Sequence, residues 1–176
     1  MPPGVETMAR APFQVVVLPF RLTDSGGVEF AVLRRADDGQ WQGVAGGGEN
    51  DETIIEAARR EAFEEAAVPS EVSFYKLTMR DFVPASCFEA AKEWPPDTYL
   101  VPQYFFACDA TGRKLAVSRE HTEIAWMAYQ EAHDRLRYDS NRTGLWELAE
   151  RLRMKDLGCR TAPDELRQTG DLADAK

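Results

Sequence analysis

Between Gly46 and Val68 the chain reads GGGENDETIIEAARREAFEEAAV, and six of those residues are glutamate. Glu61 and Glu65 are four residues apart and Glu61 and Glu64 three, so on a helix the three carboxylates share one face. Glu52 lies one short stretch upstream. Like charges at that spacing repel by roughly a few tenths of a kcal/mol per pair in a bare helix. A hard divalent cation reverses the sign, because Mg²⁺ takes oxygen ligands and binds through a few carboxylates together with substrate phosphates. Arg60 stands four residues after Glu56 and four before Glu64, where its forked guanidinium can hold carboxylates in place. A solvated acidic face would explain the composition but not this spacing. The window points to a metal cage on a helix, built for phosphate chemistry.

The elements around it must hold that cage. Gly46, Gly47 and Gly48 read as a tight loop that permits unusual backbone angles and close approach to a ligand. A helix is expected from Glu52 to Ala66, capped by Asp51 or a neighbour, with Glu52 in its first turn and Pro69 preventing continuation. Upstream, Phe13–Leu22 and Val28–Arg35 are β-rich and joined by the Asp24–Gly27 turn, a hairpin, and Trp41–Ala45 leads into the glycines. Downstream, Val72–Val83, Tyr99–Ala110 and Ile124–Tyr129 read as strands, and Glu131–Tyr138 and Arg142–Met154 as helices. The Pro84–Pro96 segment is long enough for a lid or substrate loop. The expected fold class is α/β, a mixed sheet between helices in an α/β/α sandwich. One domain spans 13–157, with a leader at 1–12 and an aperiodic tail at 158–176.

Composition narrows the function. A chain of 176 residues with 44% hydrophobic content can bury a sizeable core as one domain. A net charge of −9 argues against a nucleic acid polymer as partner, since such binders carry basic patches. An acidic protein still binds a small phosphorylated substrate when metal ions supply the positive charge. Cys87, Cys108 and Cys159 are far apart and in no metal-like spacing, which suits a reducing cytosol. His121 and His133 are too few and too separated for a zinc site. Neither an apolar run of membrane-spanning length nor a signal peptide is found, so the expectation is a cytoplasmic protein with no membrane partner. A homodimer is left open.

The acidic window resembles the Nudix box, G-x5-E-x7-R-E-U-x-E-E-x-G-U with U aliphatic. Gly46, Glu52, Arg60, Glu61, Glu64, Glu65 and Val68 fall on its fixed positions. Ala67 replaces the glycine after the helix, where a left-handed cap makes Ala cost up to about 1 kcal/mol. The likeness to Nudix hydrolases covers roughly 13–154 and includes Arg34-Arg35 with Trp41 ahead of the box. It implies the α/β/α sandwich with a mixed sheet and metal-dependent cleavage of a diphosphate linkage with Mg²⁺ or Mn²⁺. The Glu120-His121 pair, the Trp126 strand and Ser140-Asn141-Arg142 are similar to the dihydroneopterin triphosphate pyrophosphatases and their dATP-cleaving relatives.

The resemblance also implies roles. Glu61 and Glu65 are the principal metal ligands, Glu64 a supporting one, and a Gly47 or Gly46 carbonyl another. Arg60 orients the acids, and Glu52 either holds a metal-bound water or bonds to Arg60. Glu120 approaches the metals from outside the box. The general base is Glu61, Glu64 or Glu120. Arg34, Arg35 and Arg80 are candidates to face phosphates, and Trp41, Phe82 or Tyr104 to stack on a base. The expected reaction releases pyrophosphate from a nucleoside triphosphate, dATP-like, or from dihydroneopterin triphosphate. The alternatives are dinucleoside polyphosphates or ADP-ribose-type nucleotides, and, in another class, a nucleotide-sensing module, which usually loses the box acids kept here. An isoprenoid diphosphate isomerase of the same fold needs a cysteine beside the acids, and in sequence none stands near them.

Overall fold

Strand β1, Arg10–Leu22, is the axis on which everything else is hung. Successive strand side chains point to opposite faces. Val15 and Val17 therefore face one way, and Val16, Leu18 and Phe20 the other, all fully buried. Both faces need a cover. Helix α1, Ile54–Ala66, brings Ile55, Ala58 and Ala62 onto the Val15 face. Helices α2, Tyr129–Arg135, and α3, Asp139–Arg153, bring Ala132, Leu145 and Leu148 onto the other. The expected sandwich is what the chain forms. The computed structural model describes residues 9–158.

The seven-stranded sheet is mixed. On one side β1 pairs in parallel with β6, Leu100–Asp109, and β6 in turn with antiparallel β5, Phe74–Pro84. On its other side β1 forks. Its first part pairs with β4, Val44–Glu49, and its last residues with β2, Val28–Arg35, both antiparallel. β2 also carries β3, Trp41–Gln42, and β7, His121–Met127. Where β5 slips register between Lys76 and Arg80, Glu147 of α3 accepts the Thr78 and Met79 N–H groups at 2.6 and 2.7 Å. A carboxylate there replaces the missing ladder.

Four local features differ from expectation. β1 starts at Arg10, which pairs with Glu49 across an irregularity, so the last residues of the expected leader are strand. The rest of the leader, 1–8, and all of the tail past Gly158, Cys159 included, lie outside the described residues. The glycines are not a loop. Gly46, Gly47 and Gly48 are extended in β4, and none has a positive φ. Close approach is what requires them: a Cβ on Gly46 would run into the Glu61 carboxylate, one on Gly48 into the Phe13 ring, and one on Gly47 would stand 2.6 Å from Arg10 Nε.

The helix start also moved. Thr53 is the N-cap, with Thr53 and Glu56 forming a reciprocal capping box. Neither Asp51 nor Glu52 caps the helix, and Glu52 stands before it. At the other end Ala67 does adopt the left-handed conformation, φ 53°. The Pro84–Pro96 segment is pinned rather than free. It makes two short 3-10 turns, Ala85–Cys87 and Glu89–Lys92, around a small core of Ala85, Trp94 and Val101. Trp94 Nε1 donates to the Arg10 carbonyl at 2.6 Å. Among the described residues no helix is long and apolar enough to cross a membrane.

Candidate active site

Helix α1 lies along the edge of β4 that does not face β1. Backbone groups on a strand edge need partners, and the helix supplies them. The Ala45 N–H donates to Glu65 at 3.1 Å, and the Gly47 carbonyl accepts from Arg60 at 2.7 Å. The Gly47 carbonyl expected at a metal is thus taken up by a guanidinium. Arg60 is the hub of the acids. It holds Glu52 through both carboxylate oxygens at 2.8 and 3.0 Å, and its remaining arm reaches Glu61 at 2.9 Å and Glu64 at 3.0 Å. Of the two roles expected for Glu52, bonding to Arg60 is the one seen. The Glu52 hydrogen bond, aided by the Glu61 charge, keeps the guanidinium pKa above its ordinary value.

The other acids are short of positive charge. Glu65 is only 3% exposed, and beyond the Ala45 N–H its neighbour is His121 at 4.0 Å. Burial pushes its pKa up to about 8, and the charges of Glu61 and Glu120 add to the rise. Burial likewise raises Glu61, with Glu64 and Glu120 contributing against Arg60. Glu120 is exposed, on the turn before β7, and its carboxylate has no hydrogen bond or ion pair among the described residues. Hard oxygen donors, Glu65 buried without a cationic partner and Glu61 half-buried beside a guanidinium that it shares with Glu52 and Glu64, fit a divalent cation. Among the described residues no three acids, histidines or cysteines already stand in a metal-holding arrangement. Glu61 and Glu64 are instead drawn to Arg60.

Glu61, Glu64, Glu65 and Glu120 all line one cleft of about 680 Å³. Beside it a recess of about 320 Å³ shares Arg35, Glu65 and Glu120 and adds Arg119 and His121. His121 is 4% exposed, and both ring nitrogens are buried without a hydrogen-bond partner. Burial holds its pKa below the usual histidine value.

Of the expected substrate contacts, Arg35 lines both cavities. It is ion-paired with Asp37, whose carboxyl the guanidinium hydrogen bond holds down at about 2. Arg34, Trp41 and Arg80 do not line the cleft. Arg34 follows strand alternation away from Arg35 and bonds the Gly39 carbonyl at 3.3 Å. Trp41 packs into the α2–α3 core under Arg135, and Arg80 lies over the Tyr104 ring. Tyr104 itself is turned to the α1 face, and Phe82 is exposed off the cleft.

The cleft also holds Arg10, Gln14, Gln42 and Gln103, given no role in the sequence reading, and Ser140 and Asn141, known there only from the Ser140-Asn141-Arg142 likeness. Asn141 is 3% exposed and accepts the Gly43 N–H at 2.9 Å, tying the start of α3 to the entry of β4. A signal was present, since a glutamine inside an apolar strand such as FQVVV or VPQYFF is an anomaly. Cys87 lines the cleft too, so distance along the chain misled about cysteines near the acids. His121, set aside in sequence, is a buried wall of the recess.

The family model of the NUDIX domain matches residues 12–147. A crystal structure of a NUDIX hydrolase from Listeria monocytogenes is 42% identical, covering 83% of this chain and 97% of that one, with a TM-score of 0.75. The dihydroneopterin triphosphate pyrophosphohydrolase of Escherichia coli is 21% identical over 79% of this chain and 95% of that one, with a TM-score of 0.62. The Ap4A hydrolase of Caenorhabditis elegans is 17% identical over 80% and 97%, with a TM-score of 0.63. The last two share the fold. The sequence matches no curated protein.

Proposed function

This chain belongs to the NUDIX domain family and is a Nudix pyrophosphohydrolase; within that family, we propose, it cleaves a small triphosphate with the help of Mg²⁺ or Mn²⁺. The substrate is a nucleoside triphosphate or dihydroneopterin triphosphate, cut between the α and β phosphorus atoms to release pyrophosphate. We place the activity in the cytosol. One observation carries this reading: the carboxylate wall and the recess bearing Arg35 and Arg119 share lining residues, within a volume fit for one nucleotide-sized ligand.

Divalent ions, when bound, polarise phosphoryl oxygens and acidify a water. Glu61 and Glu65 would hold them, with Glu64 and Glu120 in support. Arg60 gathers Glu52, Glu61 and Glu64 beside β4, so the acids are close together before Glu61 and Glu64 take up their arrangement around a cation. Arg35 and Arg119 face the phosphates across the recess and offset their charge. The attacking water must lose a proton to a carboxylate. Glu120 is the best placed of the three candidates, because Glu61 and Glu64 are bonded to Arg60 and its own carboxylate is free among the described residues.

The test is product analysis on nucleoside triphosphates, dihydroneopterin triphosphate, dinucleoside polyphosphates and ADP-ribose, with each metal. Pyrophosphate should appear in step with monophosphate, and excess EDTA should abolish it. Free phosphate without pyrophosphate moves the cut to the outer linkage and overturns the reading. Preference for ADP-ribose or dinucleoside polyphosphates discards the triphosphate.

A further inference from the structure

The cleft has a second end, assembled from strands alone. Gln14 on β1 sits opposite Gly47 of β4 and, on its other side, opposite Gln103 of β6; Gln103 sits opposite Asp81 of β5. The three side chains line the cleft. Adjacent strands are about 4.8 Å apart, so Asp81 lies about 14 Å from β4. That is the reach from a nucleotide's phosphates across the sugar to the far edge of its base.

These side chains have hydrogen-bonding capacity that the protein leaves unused. Gln14 Oε1 is buried with no partner, and Gln103 is 8% exposed with none on its side chain among the described residues. Asp81 accepts only its neighbour Phe82 N–H, at 2.8 Å. Beside the row, the Arg10 guanidinium lies over the Phe88 ring at 5.2 Å and its buried Nε has no partner. Arg10 and Phe88 make a flat wall against which a planar ring can stack. Buried polar groups are ordinarily paired, and a contiguous set left unpaired beside a flat wall is a place for a polar, planar ligand.

We propose that the Gln14–Gln103–Asp81 row reads the edge of a 2-amino-4-oxo-pyrimidine ring, as in guanine or a pterin. A glutamine amide offers two N–H donors and one acceptor oxygen and so fits many edges, whereas the Asp81 carboxylate only accepts, and accepts two adjacent donors. The complement is an edge carrying a carbonyl oxygen, then a ring N–H, then an exocyclic amino group. Guanine and pterins present that order. Adenine and cytosine, which a glutamine alone would match, offer Asp81 a single donor beside an acceptor, and uracil offers it one N–H between two carbonyls. Asp81, an anion at this end, also turns the phosphates back toward the recess. The inference deepens the triphosphate reading and rests on it for the placing of the phosphates.

The test is the binding of GMP, IMP and AMP by calorimetry, with kcat/KM for GTP, ITP and ATP measured alongside, on the whole chain and on Asp81→Asn. IMP differs from GMP only by the missing 2-amino group. GMP should bind at least about tenfold tighter than IMP or AMP, since a site built to hydrogen-bond a group rejects the analogue without it. Asp81→Asn should cut the GMP:IMP and GTP:ITP ratios by about tenfold, the worth of a good bidentate pair. A ratio taken on one protein cancels any loss of folded material. Equal binding of GMP and IMP, or an unchanged ratio in Asp81→Asn, overturns the proposal. If GTP, ITP and ATP all yield pyrophosphate equally, the triphosphate reading stands and this one falls. If GMP is preferred yet no triphosphate is cleaved, recognition stands and the triphosphate reading falls.

Discussion

The two ends of the cleft are built by opposite rules. At the acid end, one helix supplies Glu61, Glu64 and Glu65, and Arg60 ties Glu52, Glu61, Glu64 and the β4 backbone into one network. At the strand end, Gln14, Gln103 and Asp81 come from separate strands and bond to almost nothing. The first end is wired to the protein and the second is left for a ligand. Reaction chemistry needs groups oriented before substrate arrives, whereas selectivity comes from groups that only the right ligand satisfies.

The largest loss is expected at Glu65. Glu65→Gln keeps the shape and removes the charge, so turnover should fall by more than the ~100-fold that losing a metal ligand's supporting partner costs. The Mg²⁺ concentration needed for half-activity should rise in the same titration. Unchanged activity would remove Glu65 from the metal site. Glu120→Gln is expected to act more gently, about tenfold on turnover, or roughly 1.4 kcal/mol of barrier. Its thermal midpoint should stay where it was, because Glu120 is exposed and bonded to nothing among the described residues. A loss within twofold would make it a loop acid and turn attention to Glu61 and Glu64.

A third measurement sharpens the contrast through pH. Glu65 titrates at about 8 in the fold against an ordinary 4.5. A carboxyl whose folded pKa is raised favours the fold while protonated, so its contribution is complete below about 4.5 and lost as pH rises toward 8. The metal-free protein should therefore lose thermal midpoint from pH 5 to pH 8, by roughly what linkage of one such group allows. Glu65→Gln should lose much less, and Mg²⁺ at the upper pH should restore the parent. A parent curve that does not fall, or falls equally in the variant, breaks the assignment. Smallest of all is Ala67→Gly, which relieves the left-handed cap at φ 53° and should add up to about 1 kcal/mol by chemical denaturation. Activity should be unaltered, since Ala67 touches neither end of the cleft.

The same division governs what the chain reveals before it folds. Glu61, Glu64 and Glu65 are legible because one helix converts spacing in sequence into a shared face. The sandwich was legible for a similar reason, as the strands of β1 and β2 and the helix α1 each carry their own periodicity. The glycines were misread as a loop because sequence shows the absence of a Cβ but not what fills its place, here Glu61, Arg10 and Phe13. Thr53 with Glu56 was a readable capping box that the nearer Asp51 obscured. Arg34, Trp41 and Arg80 lie off the cleft because a strand residue's face depends on register, and β2 and β5 both slip. Gln14 meets Gln103 through a parallel pairing that no local pattern announces, and Gln103 meets Asp81 across the antiparallel β5–β6 pair.

That parallel pairing of β1 with β6 also sets an order of assembly. During synthesis the ribosome releases β1, β2, β4 and α1 well before Leu100–Asp109 exists. One whole hydrogen-bonding edge of β1 then waits for a strand that is still being made, and Val16, Leu18 and Phe20 wait for the cover of α2 and α3. Most of the acid cage can close in that interval, since all but Glu120 precedes Ala67; the recognition row cannot. Pulsed hydrogen exchange on stalled nascent chains ending after α1 should find the Ala45 and Ala57 amides protected and the Val16 amide open. Equal protection at all three would mean that β6 is not needed to finish the axis. On the assignments proposed above, the residues that would hold metal are thus in place on a nascent chain before those that would tell one base from another.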